Sequence, residues 1–272
     1  MVEPTAGQLA LLLVSVALFA AGWALSLSRR WRDRDGLRVA AKACMYGGLV
    51  AGLGVLVWHS AGRHNWLPLA DNFDTLVWLG LLLALFVLYT QRTHPLRGLD
   101  WFVAPIVVLL LVGAAVFGRA RPHEYDLRSV WHWTHRVTAY GGAVAFAVAG
   151  AVGAMYLIVN HRLRAKTVTV PGAGGAGPAF GSLERLEHLT LAAVTLGFSL
   201  LTIGTVTGII RFVEEGGHTP VAKVVLAMAV WMVYAVVLHS PMNPSFRGRK
   251  AAVLSVVGFV LMVGTIVAAQ FA

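Results

Sequence analysis

The run WHWTHRVTAYGGAVAFAVAGAVGAMYLIV, Trp131–Val159, opens on two tryptophans and two histidines and continues as an almost wholly apolar stretch. A run of that length and apolarity crosses a ~30 Å hydrocarbon layer as a helix, because lipid offers an open backbone no hydrogen-bond partner. Its start is where the helix meets water. Trp131 and Trp133 suit the interfacial aromatic belt, whereas His132 and His135, with Tyr140 about one turn deeper, place costly polar rings at the rim. Imidazole is an axial ligand for haem iron and tryptophan a face for the porphyrin, so this rim reads as half of a haem-binding surface.

Working outward, the chain resolves into apolar segments at about 7–27, 39–58, 72–90, 99–118, 132–159, 187–210, 221–239 and 251–270. The strands of a membrane barrel would be half as long and would alternate in polarity, which these do not. The expected class is therefore all-α, a polytopic integral membrane protein with eight transmembrane helices in one domain over 1–272. Composition agrees: 58% of residues are hydrophobic and 12% charged, far from soluble-domain usage. The first segment is too long for a signal-peptide core and is followed by arginine, so it is read as a helix that stays in the membrane.

The 22 Lys and Arg against 12 Asp and Glu give a net charge of +10, but they sit in short connections between apolar runs. That is a topology signal and not a nucleic-acid surface. Positive charge concentrates in Arg29, Arg30, Arg32, Arg34 and Arg38, in Arg92 and Arg97, in Arg162, Arg164 and Lys166, and in Arg247, Arg249 and Lys250. The alternate connections are poorer, Arg119, Arg121 and Arg128 notwithstanding. The positive-inside rule then predicts a bacterial-type inner (plasma) membrane protein with both termini on the periplasmic side and outer loops near 59–71, 119–131 and 211–220. Residues 167–182, with Pro171 and Pro178 bracketing glycines and alanines, are predicted to be a flexible cytoplasmic linker. Cys44, the single cysteine, excludes an intrachain disulfide.

Several residues have a plain structural reading. Pro105 falls in the first turns of its segment, where no intrahelical hydrogen bond is expected to be lost. Gly197, Gly204 and Gly208, with Thr202, Thr205 and Thr207, give the sixth helix a small-residue packing face. Asp71 and Asp74 flank Asn72 as helix N-terminal caps.

The predicted topology sorts the histidines. His59, His64, His123, His132, His135 and His218 fall on the outer side, where Trp58, Trp66, Trp131 and Trp133 supply aromatic surface; His94, His161, His188 and His239 fall on the inner side. His132 and His135, three apart, could share a non-haem metal, although no Cys or carboxylate joins them at helical spacing. His239 either binds the carbonyls at its helix end or serves as a ligand.

Four stretches resemble the cytochrome c assembly superfamily of CcsA- and HemX-type haem-handling membrane proteins. WHSAGRHNWLPLADNFDTL (58–76) is similar to the family's W-x-x-S-G-H-x-P-L-x-N-x-Y-E-S-L segment, with His64 at the histidine, Asn72 at the Asn, Phe73 at the Tyr and Asp74 at the Glu. Residues 131–146 are similar to W-x-x-x-H-V and its continuation, which puts His135 at the outer haem-ligand position. LEHLTLAAVTLGFSLLTIGTVTG (186–208) resembles the glycine-rich helix, and Lys223, Trp231, Tyr234 and His239 follow the spacing K…W-x-x-[YF]-x-x-x-x-H. The Trp-rich loop ending W-x-W-D-P-K is replaced by residues 214–223, of which Lys223 alone matches, and the sequence ends at Ala272, ahead of the ligase members' C-terminal histidine.

The resemblance, closest to a HemX-like branch, implies a haem b-binding membrane protein that carries or presents haem for cytochrome c biogenesis. It implies His135 and His239 as axial ligands to iron, and His64, His59, Trp131, Trp58 and Trp66 around the cofactor, with His64, His59 or His218 as the candidates for the second outer ligand. The expected partners are haem, the lipid bilayer and other cytochrome c maturation proteins, with no nucleic acid and no enzymatic activity of its own. The alternative is a non-catalytic scaffold subunit whose haem site has decayed.

Overall fold

The computed structural model describes residues 3–28, 35–64, 66, 69, 71–93, 98–120, 130–164, 182–214, 221–239 and 248–271. These form eight helices: α1 (Ala6–Ser28), α2 (Asp35–Arg63), α3 (Asn72–Thr93), α4 (Leu99–Ala120), α5 (Val130–Arg164), α6 (Leu183–Glu214), α7 (Val221–Leu238) and α8 (Arg249–Phe271). Seven contain a stretch long and apolar enough to cross a membrane, and the described part of α7 is a shorter apolar helix. The fold is all-helical and multi-pass, as the apolar pattern predicts.

The ends of the helices differ from that prediction. α2, α5 and α6 run past their apolar segments into charged sequence, because a helix that leaves lipid keeps its backbone hydrogen bonds in water. The extension corrects the expected outer loop at 59–71: His59, Ser60 and Arg63 are helical. His64 ends α2, with a φ of 54° and its N–H donating to Ala61 O at 3.2 Å, a left-handed helix terminus.

The chain divides into two compact units, Met1–Pro95 with Asp100–Leu127, and Leu96–Leu99 with Arg128–Ala272. The division thus falls between α4 and α5. Of the predicted linker, residues 167–181 lie outside those described; the segment joins α5 to α6 within the second unit.

In the first unit, α1 starts with a reciprocal cap: Gln8 N–H donates to Thr5 Oγ1 at 3.3 Å and Thr5 N–H donates to Gln8 Oε1 at 3.0 Å. Ser15 Oγ donates to Gly48 O at 2.7 Å, so a hydroxyl inside the bilayer finds its partner on the neighbouring helix α2. Pro105 does cost a hydrogen bond. It lies too far into α4 to fall among the unpaired first N–H groups, and it leaves Trp101 O without its i+4 donor. The Trp23 indole N–H of α1 fills that position at 3.1 Å, while Trp101 Nε1 donates back to Ser26 O at 3.1 Å and Ser26 Oγ donates to Asp100.

The second unit is built on α5, which packs against α6 and α8, while α7 packs against α8 and α6. At its centre Tyr234 is fully buried, stacked on Phe146 at 3.6 Å between ring centroids and 6° between planes, with its hydroxyl donating to Ser255 O at 3.3 Å. Phe146 in turn covers Gly197, where a Cβ would stand 2.7 Å from the ring. The hydroxyls of α6 are satisfied within the helix: Thr190, Thr195, Ser199, Thr202, Thr205 and Thr207 each donate to the carbonyl four residues back.

Candidate functional site

Antiparallel packing of α5 on α6 repeats glycine contacts along the seam. Gly197 meets Phe146, Gly204 meets Thr138 and Ala139, and Gly208 meets His135. Small residues let the two backbones approach, and the last contact of the series is an imidazole. A Cβ on Gly208 would lie 2.9 Å from both Cε1 and Nδ1 of His135, so the ring lies in the trough that this glycine leaves. His135 Nδ1 is 2.7 Å from Gly204 O. A carbonyl oxygen can only accept, so Nδ1 carries the hydrogen and the lone pair of the neutral ring is on Nε2. Among metal-binding histidines this is the usual way in which a backbone carbonyl fixes tautomer and ring orientation.

Trp131 lies one turn before His135 on the same face of α5 and is 43% exposed. On the adjoining face Arg136 is buried, and its guanidinium stands over the Tyr140 ring at 5.4 Å. Trp231 of α7 donates from Nε1 to Thr202 Oγ1 at 3.2 Å and lies beside Phe198, so it is a packing residue between α6 and α7.

His239 terminates α7 and is exposed; its Nδ1 is 2.8 Å from Ala235 O. Of the two readings made from its position, the structure shows the hydrogen bond to a helix-terminal carbonyl; a neutral ring so bonded keeps its lone pair on Nε2. At ~1.5 Å per residue, counting from Trp231 at Thr202 to His239 in one direction and Gly208 in the other, His135 and His239 are roughly 20–25 Å apart along the bundle. No single iron can reach both.

The first unit carries a polar cluster of another kind. Asp71 caps α3, accepting the Asp74 N–H on Oδ1 at 2.7 Å. Its Oδ2 accepts from Arg63 Nη1 at 2.7 Å and faces His59 Nε2 at 2.9 Å, and Arg63 Nη2 also reaches Asp74 Oδ2 at 3.5 Å. His59 and Asp74 are fully buried. Burial alone would raise the Asp71 carboxyl; hydrogen bonds from His59 and the Asp74 backbone, with the Arg63 and His59 charges, outweigh it and hold the group below the ordinary value of 3.8. The His59 Nδ1 lies 3.4 Å from Gln8 Oε1, and the Phe73 ring is tilted against the imidazole at 4.8 Å.

A family model described as Cytochrome C assembly protein matches residues 66–266. The chain belongs to that family. Among its relatives, the cytochrome c biogenesis protein CcsA of Synechococcus sp. (strain CC9902) is 25% identical over 284 residues, which cover 94% of this chain and 89% of that one. CcsA of Thermosynechococcus vestitus (strain NIES-2133 / IAM M-273 / BP-1) is 28% identical over 251 residues, covering 77% and 76%. Among solved structures, the Cytochrome c Heme Lyase CcmF superposes with a TM-score of 0.60 at 17% identity, over 99% of this chain and 50% of CcmF. That likeness is one of fold, and the chain spans half the length of the CcmF chain.

This cytochrome c assembly protein distributes the residues singled out in its sequence over two units. His135, Trp131 and His239 belong to the second; His59, His64, Trp58 and Trp66 belong to the first. Trp58 lies across Gly7, where a Cβ would be 2.7 Å from its ring, and Trp66 and His64 are exposed. His123 and His218, with most of the loop that replaces the Trp-rich segment, lie outside the described residues. Among the described residues, no group of three His, Cys, Asp or Glu side chains is placed to hold a metal ion. Asp71 does more than the capping expected of it, since it also joins His59 and Arg63. The sequence reading passed over Arg63 and Gln8, and it took Gly208 only as part of a packing face. Arg63 was legible only once α2 was known to continue, four residues beyond His59, and the T-x-x-Q box at Thr5–Gln8 is a signal that was available.

Proposed function

We propose that this protein is a haem-binding membrane component of cytochrome c biogenesis. In this reading it holds haem b through His135 at one rim of the second unit, with His239 as the ligand of the opposite rim, and presents haem to other maturation proteins. The observation that carries the reading is the His135 Nδ1–H···O=C bond to Gly204 at 2.7 Å over the Gly208 trough. It sets the tautomer whose Nε2 lone pair suits iron, and the rigid α5–α6 seam holds the ring still. Trp131 offers an aromatic face one turn away. Bound haem supplies the iron and its electron chemistry; the protein's part is to orient two imidazoles and keep water from the porphyrin faces. The lysine- and arginine-rich connections support an inner (plasma) membrane location with both termini on the periplasmic side, which reporter fusions to each terminus test.

The decisive measurement is an absorption spectrum of detergent-purified full-length protein, oxidised and then reduced. A b-type spectrum is expected, with most of the haem lost in His135→Ala and a smaller part in His239→Ala. A colourless preparation from haem-replete cells would favour the scaffold reading. Spectra unchanged in both variants would refute the ligand assignment.

A further inference from the structure

We propose that the rim where α5 ends and α6 and α8 begin binds an anionic phospholipid whose headgroup carries a free hydroxyl, of the phosphatidylglycerol kind. The three helices pack together there within the second unit. They enclose a notch of about 10 Å³, lined by Tyr156 of α5, by Glu187 and Thr190 of α6, and by Gly248 with the first alanines of α8. Gly248 keeps the notch open. Its φ is 63°, and a Cβ on it would stand 2.7 Å from the Tyr156 hydroxyl. The space takes one water-sized group, so a hydroxyl fits and a ring or an acyl chain does not.

Charge decides the class of partner. Among the described residues of this rim, Arg162, Arg164, Arg185, Arg249 and Lys250 outnumber Glu184 and Glu187, and all five basic residues but Arg162 are exposed. Arg249 follows Gly248 directly, and the charges of Arg164 and Glu187 both reach the Tyr156 hydroxyl. The positive-inside rule explains why basic residues gather on one side of a membrane. It does not explain why three separate segments bring them around one polar notch. Basic clusters between membrane helices hold the phosphates of anionic lipids. Glu187 narrows the choice further. A carboxylate beside the notch repels a bare phosphate but accepts from a hydroxyl, and it accepts several hydrogen bonds at once, so it can take one more whatever else it holds. The lipid phosphate then lies against Arg164 and Arg249, and the headgroup hydroxyl enters the notch between Tyr156 and Glu187. None of these side chains is a ligand in the haem reading, so the two proposals stand or fall separately.

Native mass spectrometry of the full-length protein, released from detergent with equal amounts of phosphatidylglycerol, phosphatidylmethanol and phosphatidylcholine, tests this without reference to haem. Phosphatidylmethanol carries the same charge as phosphatidylglycerol but lacks the hydroxyls. Phosphatidylglycerol should be retained several-fold over phosphatidylmethanol, and phosphatidylmethanol over phosphatidylcholine. Arg164→Gln combined with Arg249→Gln changes two exposed side chains and should bring both anionic lipids down to the level of phosphatidylcholine. Tyr156→Phe removes one hydroxyl and keeps the ring, so it should lower phosphatidylglycerol alone, toward phosphatidylmethanol. The proposal is overturned if the unaltered protein holds phosphatidylcholine or phosphatidylmethanol as firmly as phosphatidylglycerol. Retention of phosphatidylglycerol that is unchanged in the double arginine variant, or in Tyr156→Phe, overturns it equally.

Discussion

His59 stands about one turn before the end of α2 and His135 about one turn inside the start of α5, yet their surroundings oppose each other. His59 is fully buried among a carboxylate, an amide oxygen and an aromatic ring, with Asp71 Oδ2 at 2.9 Å from Nε2 and Gln8 Oε1 at 3.4 Å from Nδ1. His135 is half-buried, fixed through one nitrogen by a backbone carbonyl and lying on a glycine that makes room for it. One environment joins a ring to an ion cluster at a helix cap; the other fixes a ring against the seam between two helices. Position at a helix end therefore says little about the role of a membrane histidine, and the partners of its two nitrogens say most of it.

The contrast can be broken most sharply at Arg63. Replacing it with Met keeps volume and takes a cation away from two buried carboxylates, so thermal unfolding of the full chain should register a loss of about 3–5 kcal/mol. A loss below about 1 kcal/mol would mean that the cluster is solvated and the two histidines differ less than their geometry says.

Next in size are the glycines of the α5–α6 seam. Gly197→Ala places a Cβ 2.7 Å from the Phe146 ring, which is itself pinned by Tyr234, and should cost about 1–3 kcal/mol. Gly208→Ala presses on the His135 ring, which is half-buried where Phe146 is fully buried, so it should cost less stability and, in the proposed reading, more haem occupancy. Equal unfolding temperatures for the two variants would argue against a trough built for a ligand.

The smallest effect is on pH dependence. Because the Asp71 carboxyl is held below 3.8, its contribution to stability is fully present above that value. It is lost as pH falls through the lowered folded value. The unfolding midpoint should therefore be insensitive to this group near neutrality and drop below about pH 3.8, a drop that Asp71→Asn removes.

The membrane helices were legible because hydrocarbon imposes one rule on every residue of a span, and composition alone reports it. The cap at Asp71 was equally local, since it and its N–H partner lie three residues apart. Helix ends beyond the apolar runs were not legible, because in water continuation depends on what the next turn packs against. The Trp23 indole that answers the carbonyl exposed by Pro105 could not be read at all, being 78 residues from it in sequence.

The sequence by itself determined an all-helical membrane chain and its family, and it singled out His135 as a candidate ligand. Tertiary structure decided which nitrogen of that ring bears hydrogen and that Gly208 lies beneath it. It also decided that His59 belongs to an ion cluster with residues 12 and 51 positions away. Apolarity and helical periodicity are properties of a segment, whereas a hydrogen-bond partner is a property of which segments meet.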